Sequence, residues 1–159
     1  LVIGYGNTLR QDDGVGYRIA ATIAQWSLEG VRSLPVHQLT LDLAATIAQS
    51  SVVIFIDAYH SEAAVDPARR ENPPTSQEPE LSLVPIVPQS TLTFTGHHLT
   101  PSALLGCSQL LYNATPEAYQ LLIPAIDLGW GETFSAVTAT AYQTALEKLP
   151  LWLNALPNV

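Results

Sequence analysis

Gly4-Tyr5-Gly6-Asn7-Thr8-Leu9-Arg10-Gln11-Asp12-Asp13-Gly14-Val15-Gly16 is the stretch whose reading decides the fold. The apolar run Leu1, Val2, Ile3 enters it, and Val15, Ile19, Ile23 and Trp26 leave it at helical spacing. That order reads strand, glycine-rich loop, helix. A dinucleotide fingerprint would need a third glycine where this chain has Leu9. Asp12 and Asp13 stand at the helix start, where a phosphate needs bare N–H groups and positive potential. Two carboxylates repel an anion there and attract a cation. Aspartate is also an ordinary helix cap, but Gly4, Gly6, Asn7, Gly14 and Gly16 in one loop exceed what a plain strand-to-helix turn needs.

Working outward, Val31 to Gln38 reads as a second strand, and Thr40 is a candidate cap for a short helix from Leu43 to Gln49. Ser51 to Asp57 is a continuous β-branched and aromatic run, as expected of a strand buried on both faces, and its apolar run stops at Asp57. Asp66 to Gln89 holds half of the twelve prolines and reads as an exposed loop leading into a strand near Leu81 to Ile86, at a sheet edge that tolerates proline. Thr91 to Thr95 reads as extended. Thr100 and Pro101 form a helix start, with the helix running to about Tyr112. Ala118 to Ile123 is expected to be the last strand and Ser135 to Leu153 the last helix, kinked or ended early by Pro150. Alternating strands and helices predict an α/β three-layer sandwich: a mostly parallel twisted sheet of about five strands with helices on both faces. Residues 1–159 read as a single domain without internal repeats.

Composition excludes several classes of function. With 47% apolar and 13% charged residues, the chain reads as soluble and globular. No apolar run reaches bilayer length and no signal-peptide pattern opens the chain. The absence of Met implies that an initiating residue or two is missing. A net charge of −8 argues against nucleic acid and anionic membrane as partners. The single Cys107 excludes an intramolecular disulfide and fits a reducing cytoplasm; its helical setting among Leu104, Leu105, Leu110 and Leu111 makes it a core residue.

Ligands in such folds bind beyond the carboxyl ends of the strands. Asp13 follows the first strand, Asp57 ends the central one and His97 precedes a later helix. Two carboxylates and an imidazole suit a divalent transition ion, with positions left open for water or substrate. His98 is an alternate to His97, and His37 and His60 are further candidates, His60 close enough to Asp57 for a supporting role.

These residues resemble a known family. The pattern Gly-x-Gly-Asn-x-Leu-x-x-Asp-Asp/Glu-Gly-x-Gly is similar to the N-terminal signature of the hydrogenase maturation proteases. The strand ending Ile56-Asp57-Ala58, the His97-His98-Leu99 segment and the last strand and helix follow in family order. The resemblance implies an aspartic-type or metal-dependent endopeptidase. Such an enzyme removes the C-terminal extension of the nickel–iron hydrogenase large-subunit precursor after nickel insertion. By resemblance, Asp13, Asp57 and His97 are the metal and catalytic residues, supported by the loop of Gly4, Gly6, Asn7, Asp12 and Gly14. Nickel arrives with the precursor, and other divalent ions can take the site. The expected protein is a cytoplasmic monomer whose partner is the nickel-loaded precursor. Where many members carry an Asp-Gly-Gly-Thr-like turn, this chain reads His37-Gln38-Leu39-Thr40-Leu41-Asp42, as in the branch serving bidirectional NAD-linked hydrogenases. No activated nucleophile is visible, so water is the expected attacking group, activated by the ion or by a carboxylate. The rival readings are a nucleotide- or flavin-binding module, a non-catalytic metal-dependent interaction protein, and a related peptidase with another substrate.

Overall fold

The computed structural model describes residues 1–60, 81–89 and 99–156. Its five strands are β1 (Val2–Tyr5), β2 (Ser33–Val36), β3 (Val52–His60), β4 (Leu83–Pro85) and β5 (Glu117–Ala125). They form one sheet in the order β2-β1-β3-β5-β4. The β1–β2, β1–β3 and β3–β5 pairs are parallel, and the edge strand β4 runs antiparallel to β5. Pro85 sits on that edge, where its missing N–H costs no interior ladder bond.

Among the described residues, four α-helices cover the two faces: α1 (Val15–Trp26), α2 (Leu43–Ile47), α3 (Pro101–Tyr112) and α4 (Ala136–Ala155). Strand alternation sorts the core between them. Val2, Ile54, Ile56, Leu121 and Ile123 pack on one face against Val15, Ile19 and Ile23 of α1 and Ala141, Ala145 and Leu149 of α4. Ile3, Val53 and Phe55 pack on the other face with Leu43 and Ile47 of α2 and Leu104, Leu105 and Cys107 of α3. Phe55 and Ile56 are both fully buried, so adjacent residues of β3 serve different cores. Each such side chain contributes about 1.5–3 kcal/mol through burial. The three-layer, mostly parallel sandwich is the architecture that the sequence predicts.

Topology places the site. The chain leaves β1 to make β2 on one side, then returns to make β3 on the other. The switch point therefore falls between β1 and β3, where a crevice opens beyond the strand ends.

Several local expectations change. β3 does not end at Asp57 but continues to His60, because β5 keeps pairing with it through His60↔Ala125 after β1 has stopped at Gly4↔Ile56. Asp42 rather than Thr40 occupies the cap position of α2, and its side chain makes no capping bond. Pro150 does not end α4, which runs five residues further; burial of Leu149 and Leu153 on either side offsets the missing hydrogen bond. Thr100 caps α3 as expected, its Oγ1 accepting from the Ala103 N–H at 3.2 Å. The loop from Asp66 lies largely outside the described residues, as does the Thr91–Thr95 segment.

Candidate active site

The glycine loop folds so that its two adjacent aspartates part company. After β1 the backbone passes through Gly6 at φ +139°, a conformation that L side chains rarely adopt. A Cβ there would also meet the Asp13 carbonyl oxygen. Gly16 has a different constraint, since a Cβ would strike the carbonyl oxygens of Ile56 and Tyr5. The first turn of α1 can therefore lie directly on the sheet. Between the two glycines, Gln11–Gly14 forms a single 3-10 turn.

Within that turn Asp13 faces the crevice, and its Oδ2 accepts the Asn7 N–H at 2.9 Å. Asp12 points the other way and is fully buried. Its Oδ2 accepts from the N–H groups of Ile126 (3.0 Å) and Asp127 (2.9 Å) and from the Ser135 hydroxyl (2.8 Å). Its Oδ1 accepts the Ser135 N–H at 2.8 Å. Burial pushes the Asp12 carboxyl upward, but these donors outweigh it and hold the group below the usual carboxylate range. Asp12 thus pins the loop to the segment between β5 and α4. Backbone bonds from Gln11 N–H to Gly131 and from Gly131 N–H to Leu9, and the Arg10 guanidinium on the Leu128 carbonyl, complete the tie.

Asp57 is the first residue of β3 beyond its last rung with β1. By alternation it shares a face with Phe55, the face covered by α2 and α3. Its Oδ1 accepts the Ala58 N–H at 2.8 Å. Burial pushes its carboxyl up to about 6; hydrogen bonds from Tyr5 and from the Ala58 N–H oppose that rise, and the nearby Asp13 charge adds to it. The Tyr5 phenol is pushed well above its ordinary value, first by burial and then by the Asp57 carboxylate, while the Gln120 side chain pulls it back.

Asp13, Asp57, Tyr5 and Gln120 all line a cleft of about 940 Å³ at the switch point. Gly6, Asn7 and Arg10 form one wall, His37 to Leu39 another, and Leu99 to Ser102 at the start of α3 a third. The His37 ring stacks on Tyr17 of α1, with centroids 5.0 Å apart and planes at 16°. His60 falls three residues beyond Asp57 on an extended strand, hence on the opposite sheet face, and does not line the cleft. His97 and His98 lie outside the described residues, immediately before the cleft-lining Leu99. Among the described residues no group of three His, Cys, Asp or Glu is placed to hold a metal ion. Gly4 and Gly14 act through packing: a Cβ on Gly4 would strike the Gly16 carbonyl, and one on Gly14 would come 2.7 Å from the Thr8 Cα. Cys107 is buried in the α3 core, away from the cleft. No helix among the described residues is long and apolar enough to cross a membrane.

Tyr5 and Gln120 line the cleft without being singled out from the sequence, and Asp12, expected there only to support the glycine loop, also binds residues 126–135. Alternation offered a signal for the first two, because Tyr5 has the parity of buried Ile3 and Gln120 that of Ala118. For Asp12 the signal was only that two neighbouring acids in a tight turn cannot both face one crevice.

No protein-family model matches the sequence, and no curated protein matches it. Solved structures do. A hydrogenase 2 maturation peptidase from a Thaumarchaeota archaeon superposes with a TM-score of 0.61 at 20% identity, covering 96% of this chain and 95% of that one. The [NiFe] hydrogenase maturation protease HybD from Thermococcus kodakarensis gives 0.62 at 18% identity, covering 95% and 96%. The hydrogenase maturating endopeptidase HybD from Escherichia coli gives 0.61 at 17%, covering 97% and 91%. A five-stranded sheet with one antiparallel edge, its crevice between β1 and β3, thus gives this chain the fold of the hydrogenase maturation proteases.

Proposed function

We propose that this chain is a hydrogenase maturation endopeptidase. Its substrate is the large-subunit precursor of a nickel–iron hydrogenase, from which it removes a C-terminal extension after nickel has been inserted. The observation that carries the reading is the convergence of Asp13, from the turn after β1, and Asp57, from β3, on one switch-point cleft. The shared fold supports the reaction class.

The nickel is part of the substrate. Two carboxylates make an incomplete site by themselves, which suits an ion that arrives with ligands from the precursor. Asp13 and Asp57 supply the charge that docks it, with His97 as third ligand and His98 as the alternate. In sequence those histidines directly precede Leu99, which lines the cleft. Once docked, the ion can polarise the scissile carbonyl or acidify water. The carboxylates position it and are the groups available to accept a proton from the attacking water. The cleft of about 940 Å³, walled by residues from Arg10 to Ser102, is where a peptide beside the ion would lie. The Asp13 carboxylate disfavours a nucleotide phosphate at the start of α1. Incubating the purified protein with nickel-loaded precursor tests the reading: a shortened large subunit supports it, and an uncut one at stoichiometric enzyme contradicts it.

A further inference from the structure

Trp130 is 83% exposed, whereas the other two tryptophans, Trp26 and Trp152, pack against the core. The segment that carries it, between β5 and α4, is held firmly. The Gly129 N–H donates to the Asp127 Oδ1 at 2.9 Å, and the Arg10 guanidinium donates to the Leu128 carbonyl at 2.8 and 3.1 Å. Gly131, at φ +149°, forms a parallel bridge with Arg10. Its N–H donates to the Leu9 carbonyl at 3.0 Å, and its own carbonyl accepts the Gln11 N–H at 2.8 Å. Trp130 and Leu9 therefore stand one residue before the two members of that bridge, as neighbours across it. Leu9 is itself 53% exposed, and both it and Arg10 line the cleft. The bare indole thus adjoins the cleft wall.

We propose that Trp130 and Leu9 form an apolar docking rim at the cleft, and that its occupant is an apolar segment of the large-subunit precursor flanking the scissile bond. This rests on the proposed maturation activity. Continuity decides the occupant: a chain that reaches Asp13 and Asp57 along the Leu9 wall passes Trp130. The stretch Leu128-Gly129-Trp130-Gly131 carries no charge, so the rim selects by apolar contact and leaves the ion to the carboxylates. Tryptophan is among the residues that most often dominate a protein interface. Here the hydrogen bonds hold its loop in place before the precursor arrives, which reduces the ordering cost of binding. The rim lies outside the carboxylate pair, so its contacts are the same in the ground and transition states. Such contacts lower KM and leave kcat unaltered.

The test measures cleavage of nickel-loaded precursor by full chains carrying Trp130→Ala, Trp130→Phe, Leu9→Ala or, as a control, Leu110→Ala. Leu110 is equally bare but stands near the far end of α3 from the cleft. Trp130→Ala should raise KM about tenfold, with kcat within about twofold and the melting temperature unchanged. Trp130→Phe keeps a ring and should raise KM only about threefold; Leu9→Ala should raise it by a similar factor, and Leu110→Ala should match wild type. An unaltered KM in Trp130→Ala, or an equal rise in Leu110→Ala, overturns the inference and leaves the proposed function standing. So does a wild-type dimer, seen by sedimentation without precursor, that Trp130→Ala dissociates, because the rim would then serve a second copy. A wild-type chain that fails to cut the precursor removes the function, and this role with it.

Discussion

Asp12 and Ser135, 123 positions apart, are joined by two hydrogen bonds of 2.8 Å, one to each carboxylate oxygen of Asp12. The same serine caps α4, its Oγ accepting the Thr138 N–H at 3.3 Å. One buried carboxylate therefore locks the glycine loop onto the last helix, and leaves its neighbour Asp13 as the acid that faces the cleft.

Asp12→Asn should consequently be a stability variant. An amide can accept through only one oxygen, so buried N–H donors of Ile126, Asp127 or Ser135 lose their partner at roughly 1–3 kcal/mol each. For a chain of this size the melting temperature should fall by about 5–10 °C. The folded Asp12 carboxyl lies below its unfolded value. Its contribution is thus present above the unfolded pKa and disappears as pH falls through the folded one. Calorimetry on both proteins should show their difference shrinking only in strong acid; equal melting temperatures at neutral pH would remove the locking role.

Asp57 behaves in the opposite sense. Its carboxyl is raised from 3.8 to about 6 in the folded chain, so the folded state holds the extra proton between those values. Stability attributable to this group is full below pH 4 and is lost as pH rises to about 6. Ionised, the buried carboxylate costs on the order of 3 kcal/mol. Asp57→Asn should match the wild type in stability near pH 3.5 and exceed it at pH 7 by several degrees. A variant less stable than the wild type at pH 7 would contradict the assigned burial. A site that trades stability for charge is common where chemistry is done.

Gly6→Ala should damage both folding and activity. The new Cβ meets the Asp13 carbonyl at a φ of +139°, which costs roughly 1–3 kcal/mol in backbone strain alone. Any relief must shift the turn carrying Asp13. Denaturant titration should reveal the loss, and a substitution without effect on midpoint would show the loop to be more forgiving than its geometry.

Much of this was legible before coordinates. The run from Val52 to Ile56 announced a strand buried on both faces, and Thr100-Pro101 announced the start of α3, because each signal lies within a few residues of its effect. Asp13 was legible because it follows the end of β1, and Asp57 because the apolar run of β3 stops there. Asp12 was not: every partner of its carboxylate comes from residues 126–135, a pairing that only the closed sheet creates. The continuation of β3 past Asp57 was hidden for a similar reason, as β5 rather than local apolarity sustains it. Pro150 misled because local propensity signals a break, while Leu149 and Leu153 anchor the helix on either side. His60 misled because three residues along a strand reverse the face.

Under the proposed function, processing should depend on the nickel that the precursor carries. Metal-free precursor lacks the ion that Asp13 and Asp57 would dock, and should be left uncut under conditions where nickel-loaded precursor is processed to completion. Equal processing of both forms, read by mass spectrometry of the large subunit, would separate the ion from recognition.

The central claim is that Asp13 and Asp57 act together on the precursor, and the most direct measurement is a cleavage assay with Asp13→Asn and Asp57→Asn. Each change removes a charge while keeping shape, so both folded variants should process nickel-loaded precursor at least about 100-fold more slowly than wild type, roughly the loss of 2.7 kcal/mol of transition-state stabilisation. Wild-type rates in either variant would contradict the account.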